Sequence, residues 1–229
     1  VSAARHIIDE VRETGKVPVS ETNAVVTKQI TPLAKSSGAI DYLYELNHLA
    51  ADVYNHSLRV SILAGVIAKW MHFDGEKAKD IMLAGFLHDI GKTKFDQRLL
   101  DKNIENLKGE DYERYIQHTV DGHHILAGLS DLSEGVKLAA MQHHERMDGS
   151  GYPRKLQGGA ICLPARILAV ANTFCALMRP RSYRRRHDEP AALAILRERP
   201  FKYDQQVVDA LAAFLQSAQG KEFVQTLQQ

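Results

Sequence analysis

The chain holds two cysteines and one tryptophan in 229 residues, a net charge of only +1, and no apolar run of bilayer length. Each scarcity excludes something. Cys162 and Cys175 stand in apolar surroundings without metal-type spacing, so they read as two small core residues of a reducing compartment rather than as a disulfide framework. Balanced charge, 29 basic against 28 acidic side chains, argues against a nucleic-acid polymer or a membrane surface as the partner, since either would call for excess positive charge. A bilayer-spanning helix needs about 18 or more apolar residues in succession, and no segment here approaches that. No basic-then-apolar leader opens the sequence, and a cytoplasmic location is expected. A start at Val1 rather than Met fits a piece of a longer protein, whose sensory, receiver or membrane segment would lie elsewhere. Alternating strand patterns are also nearly missing, which leaves helices to build the core.

Apolar residues make up 45% of the chain, ample for one core. Helical periodicity predicts helices over residues 2–13, 21–34 (interrupted by Pro32), 40–49, 52–71, 77–90, 111–127, 133–144, 163–178, 188–199 and 204–217. The segment 77–90 is apolar around most of its circumference, the mark of a buried helix. Residues 96–110 read as an exposed, charged segment. Residues 146–164, rich in glycine and holding two prolines, form a loop directly after His143 and His144. The expected class is all-α, a single domain with the first ~45 residues as a helical arm.

Histidines and carboxylates recur beside the apolar helices. Asp52 and His56, four apart in DVYNHSLRV, share a helix face and can reach one ion, or form a surface ion pair. His88 and Asp89 end the buried helix in FLHDIGK. A His and an Asp there are costly without a mutual hydrogen bond or a metal. Lys92, one turn on, suits an anionic oxygen at the same mouth. His118 in QHTVDG is an ordinary helical histidine unless the others gather around it. His143 and His144 in MQHHERMDGSGYP are delivered to the loop by a small, apolar run. Imidazole with carboxylate suits iron, manganese, nickel or zinc better than magnesium or calcium. Asn172, midway along the apolar ILAVANTFCAL, needs a buried partner, in the core or at a metal site. His123 and His124 read as helix packing and surface.

These motifs, in this order, resemble the HD-GYP phosphodiesterases, a branch of the HD-domain metal hydrolases that cleave bacterial cyclic dinucleotides. The carriers are His88-Asp89, Gly91-Lys92 and Gly151-Tyr152-Pro153, flanked by HSLRVS and ARILAVANTFCALMRPRSYR. The resemblance implies an HD-type domain over residues 46–229 behind a helical lead-in, 1–45. It implies two or three transition-metal ions, iron foremost, on His56, His88, Asp89, His118, His143 and His144. Asp52 stands where three-metal members carry an extra acidic ligand. Asp89 and Lys92 are the implied catalytic groups. Tyr152 could stack on a base, and Arg181 and Arg184, in an RPYR-like motif, face the ligand. Guanidinium forks suit phosphate and guanine alike. Glu145 is a candidate support for the ligand imidazoles.

One departure matters: the family's last carboxylate ligand falls on Asn172. The amide keeps a carbonyl oxygen but loses a full negative charge, so affinity for one ion should fall, with Asp52 able to compensate. Acidic residues are also common in the family where Cys175 stands, and proline where Ser182 stands. The resemblance implies hydrolysis of a cyclic dinucleotide, cyclic di-GMP first, to linear pGpG or GMP. The alternatives are a degenerate module that binds ligand or a diguanylate cyclase, and a hydrolase for another phosphate ester, including cyclic GMP-AMP.

Overall fold

Val60, Ile62, Leu63, Ala64, Ile67 and Ala68 are all fully buried, so the helix that carries them has neighbours on every side. The structure, a computed structural model, describes residues 2–35, 53–100, 102, 106–178, 187–218 and 221. The expected helix 40–49, Asp52 and the arginine cluster with Arg181 and Arg184 lie outside those residues. The described part comprises α1 (Ser2–Thr14), α2 (Val19–Val25), α3 (Thr31–Lys35), α4 (Val53–Trp70), α5 (Gly75–Leu87), α6 (Gln97–Leu100), α7 (Gly109–Ile116), α8 (His118–Ala127), α9 (Glu134–Gln142), α10 (Leu163–Leu177), α11 (Glu189–Arg197) and α12 (Gln205–Gln216). Among the described residues there is no strand, only one isolated antiparallel bridge between Asp148 and Gln157. No described helix is long and apolar enough to cross a membrane.

The buried α4 is the axis of the molecule, packed by α5, α10, α12 and α3. Ser61 Oγ donates to the Met82 carbonyl at 2.6 Å, fixing the crossing of α4 and α5. Residues 81–87 of α5 are all buried, as its all-round apolar sequence predicts. α9 and α10 close the other flank of α5. Cys162 and Cys175 are both free and partly buried.

Several sequence expectations shift locally. Pro32 does not interrupt its helix. A π turn, Val26–Ile30, joins α2 to α3, and Thr31 Oγ1 bonds the Val26 carbonyl at 2.9 Å. The i→i+5 register of this turn accommodates Pro32 within a continuous helical run. Residues 96–110 are not wholly exposed, because Phe95, Leu99 and Tyr115 bury one another in a satellite cluster. Residues 111–127 divide at Gln117 into α7 and α8. That division puts His118 at the head of α8.

The lead-in helix shares the main core. Ile7, Ile8 and Val11 are buried in it, and α1 packs against the 3-10 turn Ile90–Lys94 that follows Asp89. This turn also lies tightly on α8. A Cβ at Gly91 would stand 2.0 Å from the His118 carbonyl oxygen, so only glycine permits that approach.

Candidate metal centre

Three of the histidines sit just past a helix C-terminus: His88 after α5, His118 after α7 and His143 after α9. The last carbonyls of a helix lack intrahelical donors. Each ring supplies one, through Nδ1 to the carbonyl three residues back. His88 bonds Gly85 at 2.8 Å, His118 bonds Tyr115 at 2.6 Å, and His143 bonds Ala140 at 2.9 Å. Donating from Nδ1 fixes the tautomer and leaves Nε2 as a lone pair aimed inward. The helix ends thus build and orient the ligands together.

Those lone pairs converge on Asp89. Its Oδ1 lies 3.3 Å from His118 Nε2 and 3.5 Å from His143 Nε2. Its Oδ2 lies 3.3 Å from His88 Nε2 and 2.6 Å from Lys92 Nζ. His143 and His144 rings are 4.3 Å apart, centroid to centroid, and His88 and His143 4.9 Å. Two overlapping sets of candidate ligands result, one of Asp89, His118, His143 and His144, the other of His56, His88 and Asp89, with donor atoms within 4.8 Å of one another in each. Asp89 belongs to both.

A cation is what this donor set fits. Imidazole nitrogens whose protons sit on the far side of the ring present only lone pairs to a carboxylate that also only accepts. His88 Nε2, His144 Nε2 and Asp89 Oδ1 are buried and have no hydrogen-bond partner. Such groups cost free energy unless something positive satisfies them.

The electrostatics favour the ligating forms. Burial, reinforced by the neighbouring His88, lowers the His56 pKa to about 3. Burial likewise takes His143 down to about 3 and pushes His118 down. His144 falls well below the usual range through burial and the adjacent His143. Burial works against ionisation of Asp89, but His88 and Lys92 outweigh it and hold the carboxyl well below its ordinary value. Lys92 is likewise opposed by burial and yet raised by Asp89. Neutral imidazoles at His56, His118, His143 and His144 beside an ionised carboxylate are the forms that bind a metal.

Of the remaining sequence candidates, Asn172 arrives from α10 with Oδ1 2.8 Å from His56 Nε2. Tyr152 is committed on one face: its ring stacks on His144 at 4.6 Å and 20°. Glu145 does not support an imidazole. Its buried carboxylate accepts from the backbone N–H groups of Arg154 at 2.7 Å and Leu156 at 3.1 Å, bracing the loop that holds Tyr152. The loop folds back so closely that a Cβ on Gly151 would lie 2.4 Å from the His144 carbonyl oxygen. The imidazoles are supported instead by the carbonyls of Gly85, Tyr115 and Ala140. Tyr115 was missed in the sequence, although its place three residues before His118 repeats the spacing at the other two rings. It also lies under Lys92, whose Nζ is 5.3 Å from the ring centroid. His123 bonds the Lys137 carbonyl of α9 at 3.1 Å, a packing contact.

Comparison with known proteins agrees with this geometry. The HD domain family model matches residues 44–207. The chain is 35% identical over 162 residues to 3'3'-cGAMP-specific phosphodiesterase 1 of Vibrio cholerae, a match covering 67% of this chain and 37% of that protein. It is 39% identical over 155 residues to the cyclic di-GMP phosphodiesterase response regulator RpfG of Xanthomonas campestris, covering 67% of this chain and 41% of the relative. The chain therefore spans about two fifths of the length of these curated relatives. In fold it is similar to Bd1817, an HDG"Y"P protein from Bdellovibrio bacteriovorus, with a TM-score of 0.77 at 18% identity, covering 94% of this chain and 70% of that one.

Proposed function

The chain belongs to the HD domain family, in its HD-GYP branch, and on that premise we propose that it hydrolyses a phosphodiester bond of a cyclic dinucleotide. The observation that carries the reading is the Asp89 carboxylate shared by two sets of buried and half-buried imidazoles. Relatives named for cyclic di-GMP and for 3'3'-cGAMP both match it, so cyclic di-GMP is the first substrate assigned and cyclic GMP-AMP the second. Linear pGpG or GMP is the expected product from the first.

His56, His88, Asp89, His118, His143 and His144 would hold transition-metal ions, iron first, with Asn172 contributing its carbonyl oxygen and Asp52 a further carboxylate. Bound there, such ions supply Lewis-acid activation of water and of the phosphodiester. The protein's own groups do the rest. Asp89 carries the negative charge that both positions share. Lys92, held at 2.6 Å by Asp89, presents an ammonium to the charge that builds on phosphate oxygens in the transition state. Tyr152 fixes His144 through their stacked rings and offers its other face to a base. Arg181 and Arg184 are assigned to phosphate or guanine recognition. A fused sensory segment or a diguanylate cyclase is the proposed regulatory partner.

The test is anaerobic purification, metal analysis of the protein, and chromatography of products after incubation with cyclic di-GMP and, separately, 3'3'-cGAMP. Linear dinucleotide or mononucleotide from at least one substrate is expected. Fully metal-loaded protein that leaves both intact would reject the proposal.

A further inference from the structure

The two ligand sets around Asp89 are not equivalent. The Oδ1 side faces His118 and His143, with His144 completing four donors. The Oδ2 side faces His88, but it is already 2.6 Å from the Lys92 ammonium. On that side His56 Nε2 is engaged by the Asn172 amide at 2.8 Å. An ion arriving there competes with an ammonium for its carboxylate oxygen and with an amide for one of its imidazoles. Two divalent ions together with Lys92 would face a single carboxylate among the described residues of the cluster. Concentrated positive charge of that kind is expensive in a buried site.

We propose that this centre binds its metals unequally: one ion rests on Asp89, His118, His143 and His144, and the second position, at His56 and His88, holds its ion weakly until an anionic phosphate ester supplies the missing negative charge. The inference rests on the metal-dependent reading above and deepens it. It makes phosphate ester and second ion joint ligands, each raising the affinity of the other, as linkage between binding events requires. The physical cause lies in two residues. Asn172 brings no charge where a carboxylate could, and Lys92 spends part of the charge of Asp89, the one carboxylate of the cluster among the described residues.

The experiment is a calorimetric titration of metal-free protein with Mn2+, repeated in inorganic phosphate, with electron paramagnetic resonance to separate isolated from spin-coupled ions. Wild-type protein should take one equivalent tightly and a second at least about tenfold more weakly, the step that ligand charge count controls in such sites. Phosphate should strengthen the second step and leave the first. Asn172→Asp and Lys92→Met, each with Asp52 retained, should both tighten the second step without phosphate and bring out the coupled signal. Two equal equivalents in wild-type protein, or a second step that neither variant nor phosphate moves, overturns the proposal. Its failure is distinguishable from failure of the functional reading. Unequal binding without turnover removes only the assigned reaction, whereas equal binding with full turnover removes only the asymmetry.

Discussion

Asp89 gives each of its oxygens to a different group of imidazoles, and Lys92 presses on one of them. Removing that carboxylate should therefore be worse than removing any single ring. We expect Asp89→Ala to purify without bound metal, because both ligand sets lose the carboxylate they share. In protein purified with phosphate present, His88→Ala should lose the ion on its own side and retain the one held by Asp89, His118, His143 and His144. Metal content by mass spectrometry of anaerobically purified protein reads both outcomes. Undiminished metal in Asp89→Ala would remove this centre as the binding site.

The element that links chemistry to recognition is the loop after α9. Glu145, buried beside the ligand pair, accepts two backbone N–H groups from Arg154 and Leu156. Tyr152 lies inside the stretch so braced and stacks on His144. Charge-assisted hydrogen bonds of this kind contribute about 1.5–3 kcal/mol each. Glu145→Ala should lower the unfolding free energy by at least that amount in urea denaturation. It should also raise KM more than it lowers kcat, since the braced stretch carries Tyr152, whereas the candidate ligands stand on α4 and just past the ends of α5, α7 and α9. Metal content should stay at the wild-type level. A drop in metal with KM unchanged would place Glu145 at the ions and not in the loop.

At the scale of the whole molecule, the lead-in helix and the metal centre are one packed body. Ile7 is fully buried, and α1 lies against the turn Ile90–Lys94, which leads from Asp89 through Lys92. Truncating a buried isoleucine costs about 2–5 kcal/mol. Ile7→Ala should lower Tm in a single cooperative transition and weaken metal binding, although α1 contributes no ligand. Two separate transitions would show that α1 folds as an independent arm.

The helical class and the ligand candidates were legible in the sequence because both follow from local pattern. Apolar residues at helical spacing demand a core. A histidine beside an aspartate at the end of an apolar helix demands a partner that the helix itself cannot offer. The spacing of HDIGK and HHERMDGSGYP carried the family as well, and the matched residues 44–207 bear it out. Tertiary structure decided the rest, since it depends on groups that no motif ranks. The π turn that accommodates Pro32, the satellite cluster of Phe95, Leu99 and Tyr115, and the carbonyls that lock three rings through Nδ1 all arise from backbone register. Glu145 reads as a neighbour of His144 in sequence, yet chain direction turns its carboxylate to the loop. Which oxygen of Asp89 meets which imidazole is set by how α5, α8 and α9 cross. The sequence determined which side chains were available to a metal, because composition and spacing are local properties. Only the packing of the helix ends decided how one negative charge is divided among them.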